Sequence, residues 1–178
     1  MEKGEIASVI PVSGDGAIGA ASTNVASPAF RGNFTHTLDE KGRVSLPAEF
    51  RRALTVSGDS SVVITNYISD GARCLEGFGL KAWMDFESKL RLKSRFSPKL
   101  QKLENFYLSR ASECLVDSSG RVLLPGYLRT YAGIEKEITF TSSIHGFRVW
   151  DERVWKMIFA SAEQALMSNP ETFSDVDL

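Results

Sequence analysis

Along residues 30–165 the hydrophobic positions change period several times, and the changes outline the elements. Phe30 to Thr37 predicts a strand. Ser61-Val62-Val63-Ile64-Thr65 is a β-branched run that predicts a buried strand, and Arg73-Cys74-Leu75-Glu76 predicts a further one. Leu80, Trp83, Met84, Glu87 and Leu90 then fall at helical spacing, four of them apolar. Ser97-Pro98 opens a second helix, with Ser as the cap, Pro in the first turn, and Leu100, Leu103, Phe106 and Tyr107 as its apolar face. Ala111 to Val116, Ile138-Thr139-Phe140 and Phe147 to Trp150 read as strands. Asp151 caps a last helix that places Val154, Trp155, Ile158, Phe159 and Ala162 on one side.

Between these elements one stretch occurs twice. Leu38-Asp39-Glu40-Lys41-Gly42-Arg43-Val44-Ser45-Leu46-Pro47 returns as Val116-Asp117-Ser118-Ser119-Gly120-Arg121-Val122-Leu123-Leu124-Pro125, at an offset of 78. Phe50-Arg51 maps to Leu128-Arg129 at the same offset. So many identities at one spacing mean an internal duplication. Farther on, Phe78 and Trp83 map to Trp150 and Trp155 at an offset of 72, so the first copy carries about six extra residues, expected in loops near 55–74.

The repeated unit has a local physical reading. Asp can accept backbone N–H bonds inside a tight reversal, and Gly can take positive φ there without a Cβ clash. Asp39, Gly42, Asp117 and Gly120 are therefore the turn-forming residues. Arg43 and Arg121 each open a short strand. Pro47 and Pro125 stand where a helix can begin, and Ala48 to Leu54 supplies one or two turns of amphipathic helix. Each unit is a strand, a turn, a strand and a short helix.

The formal net charge of −1 argues against a nucleic-acid binder until its distribution is considered. Setting aside Lys3, and Glu2, Glu5, Asp15, Glu171, Asp175 and Asp177, leaves 20 Lys and Arg against 16 Asp and Glu in residues 30–165, a core of +4. That is a modest basic excess. The run Lys89, Arg91, Lys93, Arg95, Lys99 and Lys102 has no acidic residue among its members and reads as a solvated helix face.

Other chemistry is sparse. Cys74 and Cys114 form no disulfide framework or zinc spacing, and read as buried small hydrophobes. No metal or cofactor is expected. No Gly-rich phosphate loop or nucleophile elbow is present, and His36 and His145 lack a catalytic partner pattern. Asp39 and Asp117 could form an acid/base dyad only across a pseudo-twofold, where the Arg at each fourth position would hold each carboxylate ionised. Not an enzyme is the reading. Trp83, Trp150 and Trp155 read as core. Residues 1–29 are rich in Gly, Ala and Ser and read as a disordered extension without a secretion signal; no stretch has the length of a membrane span.

The doubled Asp-x-x-x-Arg motif followed by Leu-Pro strongly resembles the MraZ family, bacterial transcription regulators with two SpoVT-AbrB-like halves. Phe30-Arg31-Gly32, Cys74-Leu75-Glu76, Leu128-Arg129, Tyr131-Ala132-Gly133 and Phe147-Arg148-Val149-Trp150-Asp151 extend the likeness across residues 30–165. Residues 1–29 depart from the family's usual start. The resemblance implies an α+β fold in which two pseudo-symmetric, swapped-hairpin halves share a β-barrel-like core with peripheral helices. The boundaries expected are an extension at 1–29, halves at 30–95 and 96–165, and an acidic tail at 166–178.

It also implies a cytoplasmic, nucleoid-associated homo-oligomer, ring-like, that binds double-stranded DNA at short direct repeats upstream of the division and cell-wall gene cluster. Arg31, Lys41, Arg43 and Arg121 are the candidate DNA contacts, because Arg can grip phosphate or pair with guanine in the major groove. Lys41 favours the first turn as the contact, and Ser118-Ser119 gives the other turn a more structural character. Two other readings stay open: an ion pair that merely braces each turn, and an AbrB-like, antitoxin-like module that binds a partner rather than an operator.

Overall fold

The computed structural model describes residues 30–93 and 97–173; the expected extension at 1–29, Arg95, and the tail residues 174–178 lie outside it. The first half runs β1 (Asn33–Thr37), β2 (Arg43–Ser45), α1 (Ala48–Ser57), β3 (Ser61–Ser69), β4 (Ala72–Gly79) and α2 (Leu80–Arg91). After α3 (Pro98–Phe106) come β5 (Ser112–Leu115), β6 (Arg121–Leu123), α4 (Gly126–Ala132), β7 (Glu137–Ser142), β8 (Phe147–Asp151) and α5 (Glu152–Ser168). This is an α+β fold.

The strands exchange partners between halves. The main sheet has the order β1-β7-β8-β4-β3-β5, and a separate two-stranded ribbon pairs β2 with β6. β1 thus lies antiparallel to β7 of the second half, and β5 lies antiparallel to β3 of the first. Backbone pairing among the described residues leaves the main sheet with two edges, β1 and β5, rather than a hydrogen-bonded closed barrel.

One core serves both halves. Phe30, Val44, Leu46, Phe50, Leu54, Ile64 and Leu75 meet Val122, Leu124, Leu128, Ile138, Phe140, Phe147 and Val149. Phe50 is wholly buried, with ring centroids 5.2 Å from Phe30 and 5.3 Å from Phe147. Gly77 sits under the Phe147 ring, where a Cβ would collide with it. A side chain of this size removed from such a core costs about 3–5 kcal/mol.

The opposite sheet face is roofed only in part. Val63, Phe78, Trp83 and Tyr107 form a second cluster, supported by Phe86, Leu103 and Phe106 from α2 and α3. In α2 only Trp83 is buried and Met84 is 56% exposed; Phe86, not Met84, completes the apolar face, with its ring centroid 5.4 Å from that of Trp83. Trp83 also donates from Nε1 to Glu87, 2.9 Å away, so Glu87 serves the core edge through its carboxylate.

Three details depart from the expectation. α1 runs on to Ser57, and Gly58, in the left-handed region at φ 71°, ends it by donating its N–H to the last turn's carbonyls. Gly133 does the same for α4. The two cap glycines are offset by 75, so half of the first copy's extra residues lengthen α1. The rest extend the β3–β4 hairpin, whose Asp70-Gly71 turn has positive φ at both positions. Lastly, α5 continues to Ser168 and a 3-10 turn follows at Pro170–Phe173, because Leu166 and Met167 favour helix where a tail was expected. Trp155 is not fully buried: it lies against Trp150, 5.6 Å away, at the rim.

No helix among the described residues is long and apolar enough to cross a membrane, and no group of His, Cys, Asp and Glu there could hold a metal. Cys74 and Cys114 are buried free thiols, raised by burial to about 12 and about 11.

Candidate nucleic-acid interface

The two Asp-Arg turns are built alike. In the first, Asp39 Oδ1 accepts from the backbone N–H groups of Lys41 and Arg43, both at 2.9 Å, and Oδ2 accepts from Arg43 Nε at 2.7 Å. Asp117 Oδ1 accepts from Ser119 and Arg121 N–H, also at 2.9 Å, and Oδ2 accepts from Arg121 Nε at 3.0 Å. Gly42 and Gly120 stand at φ 79° and 74°, donating back to the aspartate carbonyls. A carboxylate that gathers three donors spares the turn backbone its unpaired N–H groups.

The backbone N–H of the arginine, and then its guanidinium, hold each Asp carboxyl below the ordinary value of 3.8. Both stay ionised at neutral pH. Each arginine uses only Nε for this contact, and its terminal nitrogens make no hydrogen bond among the described residues.

The ribbon puts the two turns at its opposite ends. Arg43 stands across from Leu123, Val44 from Val122, and Ser45 from Arg121. Val44 and Val122 point into the core, each 1% exposed. Strand alternation then sends Arg43, Ser45, Arg121 and Leu123 to the other, solvent-facing side. Leu46 N–H donates to the Gly120 carbonyl and Leu124 N–H to that of Gly42, tying each turn to the other half. Asp39 and Asp117 are thereby kept apart, and the acid/base dyad does not form.

Two arginines that the motif alone did not single out complete the surface. Arg129 covers Gly42, its guanidinium close to where a Cβ would stand, and donates from Nε to the Leu124 carbonyl at 3.1 Å. Arg51 covers Gly120 in the same way. Their identity at the repeat offset of 78 was the signal available in the sequence.

A family model described as "MraZ protein, putative antitoxin-like" matches the chain twice, over residues 29–105 and 107–176. The chain belongs to the MraZ family. A relative from Shewanella loihica named transcriptional regulator MraZ is 35% identical over 153 residues, 84% of this chain and 99% of that one. Proteins of the same name from Solidesulfovibrio magneticus and Proteus mirabilis are 38% and 36% identical, over 69% and 71% of this chain and 80% and 82% of theirs.

The candidate contacts of this MraZ-family chain fall in three places. Arg43 and Arg121 share the ribbon's outer face, and Lys41 is exposed in the first turn. Glu40 is exposed beside Lys41 and offsets its charge. With the covering Arg129 or Arg51 counted, the first turn (Asp39, Glu40, Lys41, Arg43) and the second (Asp117, Arg121) each carry +1. The expected contrast between them thus loses its electrostatic basis. Arg31 is exposed just before β1, in the main sheet's edge, away from the ribbon pairing. Of the basic run's described members, Lys89 and Arg91 lie on α2, Lys93 just past its end, and Lys99 and Lys102 on α3; Arg91 is 3.8 Å from Glu87.

Proposed function

We propose that this chain is a sequence-specific DNA-binding transcription regulator that acts on short direct repeats upstream of the division and cell-wall gene cluster. The observation that carries the reading is the ribbon: two Asp-braced arginines on one solvent-facing side, each with its terminal nitrogens unengaged. The major groove of B-DNA, about 12 Å wide, admits a two-stranded β-ribbon, and Arg pairs bidentately with guanine there. Asp39 and Asp117 fix their arginines in place, so less side-chain freedom is lost on binding. Arg51 and Arg129 add charge for phosphate. Lys41 and Arg31 are the flanking contacts proposed with them.

The regulator works as a cytoplasmic, nucleoid-associated homo-oligomer, ring-like in form. Support comes from an asymmetry between the halves. Trp83 on α2 is covered by Tyr107 at the end of α3, in a cluster that Leu103 and Phe106 join, whereas nothing among the described residues covers the equivalent α5 in this way, which leaves Phe159 53% and Met167 77% exposed. A neighbouring copy would cover that face. Repeated operators then meet repeated subunits at fixed spacing.

The alternative is an antitoxin-like, AbrB-like oligomer that binds a protein partner without an operator, in line with the description of the matching family model. Titrating the protein with a duplex of its own upstream repeats and with a scrambled duplex, at two salt concentrations, separates them. Preference for the repeats, weakening steeply with salt, is the expected result. Equal, weak binding to both duplexes favours the alternative.

A further inference from the structure

We infer that Leu123 reads the 5-methyl group of a thymine in the major groove, next to the base contacted by Arg43. This rests on the DNA-binding reading above and names a contact within it.

Leu123 is 54% exposed on the ribbon's solvent face, at the end of β6 and across from Arg43. The duplicated chain supplies its own control for the fold. At the matching position of the first half stands Ser45, also exposed, in a strand with the same buried valine and the same flanking turn. The ribbon therefore does not need an apolar side chain at this register. An exposed leucine that the fold does not use points to what the face meets.

Its surroundings select the partner. Leu123 pairs directly with Arg43, and Arg121 lies two residues before it on the same face. Any surface that touches Leu123 also lies against both guanidiniums. An apolar protein patch would bury those charges without new acceptors, at a cost. The major groove instead offers acceptors on guanine and phosphate with the thymine methyl among them. The Ser45–Leu123 difference also breaks the ribbon's internal twofold, because Arg43 has an apolar neighbour and Arg121 a hydroxyl one. A symmetric ribbon would favour a palindrome; this one reads a site with direction.

The test uses the full-length protein and a duplex enriched from a random-sequence library by the wild type. Each thymine is replaced in turn by deoxyuridine, which removes the methyl and leaves the hydrogen-bonding edge unchanged. One replacement should weaken wild-type binding about four-fold, the worth of one buried methyl group. Leu123→Ser, which installs the residue the twin position already tolerates, should bind with equal affinity whether that base is thymine or uracil. If the variant keeps the wild-type pattern of sensitivity, the inference is overturned while DNA binding stands. A changed assembly size with that pattern intact also overturns it, by making Leu123 a subunit contact. Should the wild type enrich no sequence at all, the DNA-binding reading itself falls and takes the inference with it.

Discussion

Arg129 of the second half lies over Gly42 of the first, so that a Cβ at Gly42 would stand 2.9 Å from its Cζ. The contact couples the first turn to a helix 87 residues farther along the chain. Gly133 offers a comparison: it too has positive φ, 65°, but open space around it. Gly133→Ala should cost about 1–2 kcal/mol, the strain of the left-handed region alone. Gly42→Ala adds displacement of Arg129 from the Leu124 carbonyl and should cost about 1 kcal/mol more. Urea denaturation of the two variants checks the order.

The turn's two residues should separate in their effects. Arg43→Ala removes one side of a part-exposed ion pair, which contributes only about 0–1 kcal/mol to stability. Asp39→Ala leaves three donors without their acceptor and should lower the melting temperature clearly, with Asp117→Ala alike. Thermal melts of the four single variants at Asp39, Arg43, Asp117 and Arg121 test this. Equal losses from Arg43→Ala and Asp39→Ala would make the pair a structural brace.

The pH dependence of stability has two opposed sources. Burial raises the Glu76 carboxyl above 4.5, against the pull of the Tyr107 hydroxyl, Arg148 and His145. Its folded-state value exceeds its unfolded one, so stability is greatest below the ordinary glutamate range and falls as pH rises through it to the raised value. Asp39 and Asp117 act the other way: their contribution is present above 3.8 and is lost as pH falls below it. Glu76→Gln keeps an acceptor for Tyr107 and should flatten the decline with rising pH, leaving the acid loss intact. Denaturation midpoints from pH 3 to pH 8, roughly the span over which carboxylates and then histidines titrate, would show it.

The duplicated turns were plain in the sequence because their chemistry is local. An aspartate, a glycine with positive φ and an arginine at fixed spacing close the same hydrogen bonds wherever they occur. The strand exchange was not legible from pattern, because nothing local tells β1 to pair with β7 rather than with β3. Only the resemblance pointed to it. The roles of Arg51 and Arg129 depend on that exchange, since each covers the turn of the other half. Trp155 and Phe159 matched an amphipathic helix, but periodicity gives the apolar side without saying what lies against it. Met84 does not join the core for a related reason: Phe86 gives Trp83 an aromatic ring to pack against, 5.4 Å away.

Because β1 pairs with β7 and β5 with β3, neither half should fold alone. Residues 30–95 and 96–165 expressed separately should show no cooperative melt as monomers, and mixing them should restore one. A sharp transition from either fragment would contradict the shared core.

The open side of α5 makes a separate expectation. Phe159→Glu places a charge on its exposed apolar stretch and should reduce the assembly to smaller species in light scattering, with the melt of the single chain within about 0.5 kcal/mol of wild type, as for a surface substitution. An unchanged mass would put the subunit contact elsewhere.

The most direct test of the central claim is a titration of repeat-containing DNA with wild type, Arg43→Ala and Arg121→Ala at two salt concentrations, each protein sized first by light scattering. The expected result is a loss of about 1–3 kcal/mol of binding for each variant, at unchanged assembly size. A relaxed sequence preference would mark a base contact, and a salt slope smaller by about one would mark a phosphate contact. Wild-type affinity, preference and salt slope in both variants would contradict the claim and move the DNA surface off the ribbon.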